Sequence, residues 1–405
     1  MNFQRCSYLI VVGLLSTLIA ACGGGGGSSD SNNSSSKTVA QDFVSQTVAS
    51  NAITFGVQQV PSGNVNTPYV SVNVCEPDTT KCQTINNVLL DTGSTGLRIF
   101  SSNLGSLQLT NQTSGNAPIL ECASFISGVT WGPVKLADVK LGLESAKSIS
   151  IQVVNDPLYS SVPSYCSNGL PTLQSASSLR ANGILGVGLF VADSQNYYTC
   201  NSAQTSSCSA VTIPASQQVQ NPVASFAVNN NGVILQLATT SNSGAPSASG
   251  ILYFGIDTQS NNSSLGTNVI PTTASGRFTT VFNGSSYKSS FIDSGSNGIF
   301  FPSGNLSPVL LPCTSNAGFY CPTSTQSYLA TLALQNNLTA NIAFSIANAE
   351  SLFATNYYAL PALGGTITGQ FDWGLPFFFG KSVYIGITGK SSNAGKGPYY
   401  AYKFN

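Results

Sequence analysis

The 405-residue chain is predicted to be mainly β and two-lobed, with lobes related by internal duplication. Three observations lead there. The tetrads Asp91-Thr92-Gly93-Ser94 and Asp293-Ser294-Gly295-Ser296 each follow an apolar run and precede a Gly and an aliphatic residue, so one pattern recurs about half a chain apart. Short polar/apolar alternations recur between turns rich in Gly, Asn, Ser and Pro, while long helical periodicity is scarce. With 42% hydrophobic residues, the chain is long enough to bury a core in each of two lobes.

Taken in order, residues 1–21 read as an export signal: Arg5 in a polar start, an apolar stretch from Tyr8 to Ala20, then Ile19-Ala20-Ala21-Cys22. That ending resembles a bacterial lipobox. The resemblance implies cleavage before Cys22 and lipidation of its thiol and amine, with an ordinary signal peptide as the alternative. Gly after the lipidated Cys points to the outer membrane, so the expected location is the bacterial cell envelope, on its periplasmic or surface face. Residues 22–45, rich in Gly, Ser and Asn, read as a flexible tether. The first lobe is placed at 46–222 and the second at 223–405, meeting near Pro222.

Strands are expected at Pro68 to Val74, Ile85 to Leu90, Val134 to Leu141, Ser148 to Val154, Gly232 to Leu237, Gly250 to Phe254, Phe278 to Phe282 and Ser382 to Ile387. Short helices or turns are expected at Gln326 to Gln335 and around Pro222 to Phe226.

Composition then narrows the chemistry. Only 7% of residues are charged and 14 Lys+Arg balance 14 Asp+Glu, so no basic field exists to hold a nucleic acid. Histidine is absent, which removes Ser-His-Asp and Cys-His nucleophiles and imidazole metal sites. Carboxylates remain as the acid/base resource. Of the ten cysteines, Cys6 leaves with the signal and Cys22 takes lipid, leaving eight for an oxidising compartment. Eight cysteines allow many connectivities. Short loops favour Cys75-Cys82, Cys200-Cys208 and Cys313-Cys321, with Cys122-Cys166 remaining. A zinc site is the weaker reading, because the spacings exceed the usual two to four residues.

The two tetrads, with Gly183-Ile184-Leu185-Gly186-Val187-Gly188-Leu189 and Gly250-Ile251-Leu252-Tyr253-Phe254-Gly255, resemble the pepsin-like, two-lobed aspartic proteases over roughly Ala49 to Ile387. More narrowly, the chain is similar to pepsin-like lipoproteins of Gram-negative bacteria. The resemblance implies double-ψ-type β lobes, a monomer, no cofactor, no metal, and a peptide or protein substrate in the inter-lobe cleft. It makes Asp91 and Asp293 the catalytic pair. Thr92 and Ser294 would hydrogen-bond across the lobes, Gly93 and Gly295 would let backbone N–H groups approach, and Ser94 and Ser296 would support the outer oxygens. Ile184, Leu185 and Gly186 would thread beneath Asp91.

Asp372, Trp373 and Gly374 would thread beneath Asp293, with an acid where the family usually has an aliphatic residue. Asp372 is then either a third carboxylate that adjusts the pair or an Asx turn. The family's flap falls on Cys122 to Thr130, offering Phe125, Ser127 and Gly128. Phe125 is either a lid over substrate or an ordinary packed hairpin residue. Arg98 stands where the family has a Trp partnered to a flap Tyr, and either selects an acidic substrate group or is solvated.

Two carboxyls a hydrogen bond apart share one proton, so the pair is acid and base together. The expected function is a membrane-tethered endopeptidase that activates water between Asp91 and Asp293. The alternative is a catalytically inactive pepsin-like lipoprotein that binds a peptide or envelope component in the cleft.

Overall fold

The computed structural model describes residues 40–200, 208–304 and 306–405. The export signal, Cys22 and most of the tether lie outside them. The molecule is mainly β. Among the described residues, seventeen strands join into one hydrogen-bonded system and seven into a second, with helices no longer than the five residues of Ala349–Phe353. No helix among the described residues is long and apolar enough to cross a membrane.

Alternation sets the first lobe. In Pro68–Cys75, Val70, Val72 and Val74 are buried while Ser71 and Asn73 are half-buried, the period-two pattern of a strand with one face in a core. It runs antiparallel to Cys82–Asp91, which delivers Asp91 at its end. Gly183–Val187 then lies between two strands: parallel to Cys82–Asp91, with Ile184 opposite Leu89 and Gly186 opposite Asp91, and antiparallel to Thr95–Phe100.

The second lobe repeats this threading. Ser285–Ile292 leads to Asp293, and Asp372–Trp373 runs parallel to it, with Asp372 opposite Phe291, and antiparallel to Ile299–Phe300. Duplication is therefore present in topology as well as in the tetrads, and the two-lobed architecture matches the expectation.

A shared sheet joins the halves. Ala52–Val57 pairs with Ala248–Phe254, which continues through Gly232–Leu237 and Lys381–Gly386 to Tyr399–Phe404. The four disulfides are Cys75–Cys82, Cys200–Cys208 and Cys313–Cys321, the pairs the loop spacings favoured, and Cys122–Cys166, the pair that remained.

Two expectations need correction. Gln326–Ala333 is a strand, not a helix: Ala330 and Leu332 are buried at period two, and the strand is hydrogen-bonded on both sides, by Phe278–Phe282 and Thr339–Ile346. Sheet pairing overrides a local preference that small side chains leave weak. Residues 42–45, assigned to the tether, are bonded to the sheet, the Phe43 amide to Asn87 Oδ1 at 2.8 Å and the Ser45 amide to Ser71 Oγ at 2.9 Å. The Phe43 ring packs on the core and carries its neighbours with it.

Candidate active site

The two aspartate loops meet between the lobes and hold each other. The Thr92 amide donates to Ser294 Oγ at 3.0 Å, and the Ser294 amide donates to Thr92 Oγ1 at 2.9 Å. Each hydroxyl also reaches the opposite strand, Ser294 Oγ to the Leu90 carbonyl at 2.7 Å and Thr92 Oγ1 to the Ile292 carbonyl at 3.4 Å. This reciprocal clamp sets the spacing of the carboxyls.

Each carboxyl is held alike. The Gly93 amide donates to Asp91 Oδ1 at 2.8 Å and the Gly295 amide to Asp293 Oδ1 at 2.7 Å. Ser94 Oγ donates to Asp91 Oδ2, and Ser296 Oγ to Asp293 Oδ2 at 2.9 Å. The two carboxyls face each other closely enough that each alters the other's hold on a proton.

The glycines are required for this approach. A Cβ at position 93 would sit 2.4 Å from Asp293 Cγ, and one at position 295 would sit 2.7 Å from Asp91 Oδ1. Gly93→Ala is therefore expected to push the loops apart, costing about 1–3 kcal/mol of stability and suppressing whatever chemistry the pair performs. Thermal melts beside an activity assay check it, and an unchanged Tm would show the loops to be looser than this.

Burial drives the electrostatics. Asp91 is 1% exposed and Asp293 is fully buried. Desolvation pushes both carboxyls up, Asp293 well above the usual carboxylate range, with the Asp91 charge and then Asp372 adding to it. The pair thus keeps one proton where a lone carboxyl would have lost it.

Asp372 is brought beside the pair. Its register position opposite Phe291, two residues before Asp293, corresponds to Ile184 opposite Leu89, two before Asp91. The Asx-turn reading is set aside: Asp372 is fully buried in a strand, and neither carboxylate oxygen has a hydrogen-bond partner. Ser296 stands near it but gives its proton to Asp293. Burial holds the Asp372 carboxyl well above the usual range.

An acid whose folded pKa is raised costs stability as pH climbs above its unfolded value, here about 3.8. Asp372→Leu should therefore raise Tm at neutral pH, with the gain shrinking toward pH 4. Melting curves across that range test it, and a pH-independent difference would mean that the side chain is ionised when folded.

The remaining candidates fall elsewhere. Ile184 and Leu185 are buried, and a Cβ at Gly186 would lie 2.8 Å from Ser94 Oγ, so this strand packs directly under the first loop. Trp373 anchors the second copy by donating Nε1 to Thr280 Oγ1 at 3.0 Å, and a Cβ at Gly374 would strike the Gly298 carbonyl at 2.1 Å. In the Ala117–Phe125/Gly128–Leu141 hairpin, Phe125 is a packed residue rather than a lid, 3% exposed among Val60, Tyr69, Leu89 and Ile184. Gly128, at φ +150°, has no room for a Cβ beside the Pro171 carbonyl, and Ser127 sits at the turn with its hydroxyl buried and unpartnered. The tip residue that reaches across is Ile126, which packs on the second-lobe cluster of Phe300, Phe319, Leu360 and Leu363.

Arg98 is neither solvated nor open to substrate. It is 1% exposed, with Nη2 on Glu121 at 2.6 Å and on Asp193, and Nη1 donating to the Thr95 carbonyl at 2.9 Å. A buried guanidinium requires such partners. Its Cζ lies 5.6 Å from the Phe125 ring centroid, so the strand after the first Asp loop is tied to the hairpin through this ion cluster.

A family model described as "Protein of unknown function (DUF3443)" matches residues 47–402. The chain belongs to this family. No curated protein matches it. Among solved structures, the crystal structure of an aspartic proteinase from Irpex lacteus is similar at 14% identity and a TM-score of 0.48, covering 87% of this chain and 97% of that one.

Sequence reading missed two features of this DUF3443 chain. Glu121, the charge inside the apolar run Ile119 to Phe125, signalled a buried partner, but nothing local identified Arg98 as that partner. Fully buried Asn66 bridges the lobes, donating Nδ2 to the Asn297 and Leu360 carbonyls at 2.8 Å each and accepting from the Leu360 amide at 2.7 Å. Its polar side chain in a turn-rich segment gave no sign of this.

Proposed function

We propose that this chain is an aspartic endopeptidase that activates water between Asp91 and Asp293. One observation carries the reading: two buried carboxyls, facing each other and held by symmetric loops that clamp one another across the lobes. In this reading the ionised member of the pair takes a proton from a bound water, the resulting nucleophile attacks the peptide carbonyl, and the protonated member donates toward the developing oxyanion. The Gly93 and Gly295 amides and the Ser94 and Ser296 hydroxyls keep the carboxyls oriented. The peptide or protein substrate lies in the cleft beside the Ile126 tip. The enzyme acts as a monomer at the bacterial envelope, anchored through lipidated Cys22 and most simply in the outer membrane.

A second reading, an inactive lipoprotein that binds a peptide or envelope component, is favoured by the depth of both aspartates and by the Ile126 tip already resting on the opposite lobe. Cleavage profiling of a peptide library from acid to neutral pH, read by mass spectrometry, separates the two. Cuts that disappear in Asp293→Asn support the peptidase. A folded protein that cuts nothing at any pH supports the binder.

A further inference from the structure

A cavity of about 300 Å³, which the dyad aspartates do not line, opens in the second lobe. Its walls are the rings of Phe344, Trp373, Phe377 and Phe379, and its polar rim includes Asn242 and Ser345. Lys381 completes the lining. This lysine is only 9% exposed, and no carboxylate among the described residues forms an ion pair with it. Its ammonium lies 4.9 Å from the Phe377 ring centroid and 5.4 Å from that of Phe404. Ring faces compensate a buried cation only in part. Burial accordingly brings the Lys381 amine down to about 8.

An uncompensated cation inside an aromatic pocket lacks an anion. We propose that this cavity binds a small apolar monocarboxylate, with its body among the four rings and its carboxylate on Lys381. One lysine balances one charge, so a phosphate dianion is left undercompensated and a neutral ligand leaves the ammonium unpaired. A cavity of about 150 Å³ holds a benzene ring, so this one accommodates an aryl ring with a short acid chain. A free aromatic acid and the C-terminus of a peptide ending in an aromatic residue both present this chemistry. The site stands on the C-terminal pocket alone, and its failure would leave the peptidase reading untouched.

Isothermal titration of the full-length chain tests it, using 3-phenylpropanoate and N-acetyl-glycyl-phenylalanine, each beside its carboxamide. At least one acid should bind, with its amide about 10- to 100-fold weaker. Which acid binds identifies the source of the ligand. Lys381→Met should erase the preference for acid over amide. Ala343→Trp, at an exposed position on the cavity's edge, should block both and folds without disturbing the core. Equal binding of acid and amide, no binding of either acid, or an acid preference that survives Lys381→Met would each overturn the site.

Discussion

Asp91→Asn and Asp293→Asn should each lower peptide cleavage by about 10³-fold or more, and the double variant should be little worse than either single one. An amide cannot take the proton from water, and one altered carboxyl leaves its partner without the shared proton. The same substitutions should make the fold more stable at neutral pH. Both carboxyls are raised by burial, so each costs stability as pH climbs above the ordinary carboxylate value, and Asn removes that cost. Wild-type activity should fall at the alkaline end, as the pair loses its remaining proton. Cleavage assays and thermal melts on the same samples examine both halves of this expectation. Full cleavage by either Asn variant would remove the dyad from the mechanism.

Arg98→Met should cost about 3–5 kcal/mol, because it strands Glu121 and Asp193 in the core without their cation. Tyr197 remains as a hydrogen-bond donor to Asp193, but a phenol does not balance a charge. Burial already pushes the Glu121 carboxyl well above its usual range even with Arg98 present. The defect of the variant should therefore shrink in acid, where Glu121 takes up a proton. Denaturant melts at two pH values measure it. A loss under about 1 kcal/mol would mean that the guanidinium is not the keystone of this cluster.

Legibility in the sequence followed the range of the constraint. The tetrads were readable because the clamp and the amide-to-carboxyl bonds demand particular residues within four positions. The short disulfide loops were readable for the same reason. The Arg98 cluster draws on residues 23 and 95 positions away, and no local pattern marks such partners. At the hairpin the sequence left Phe125 as either lid or packed residue: it ends its strand in the core, and the next residue, Ile126, lies in the turn and rests on the opposite lobe, a placement that depends on the turn and not on any local pattern. Gln326–Ala333 was misread because Ala, Thr and Leu support either element until a partner strand is known.

The strand pairing that joins the lobes also dictates when the molecule can be completed. Ala52–Val57 meets Thr47–Ala49 and Pro68–Cys75 early, but its longest pairing forms only once Ala248–Phe254 exists, and Asn268–Pro271 waits for Tyr399–Phe404 at the far end of the chain. Such distant contacts close large loops before they yield any stabilisation, which makes folding slow and late. The emerging polypeptide therefore spends its whole synthesis without a finished sheet, and the seam between the lobes is the last part of the molecule to settle.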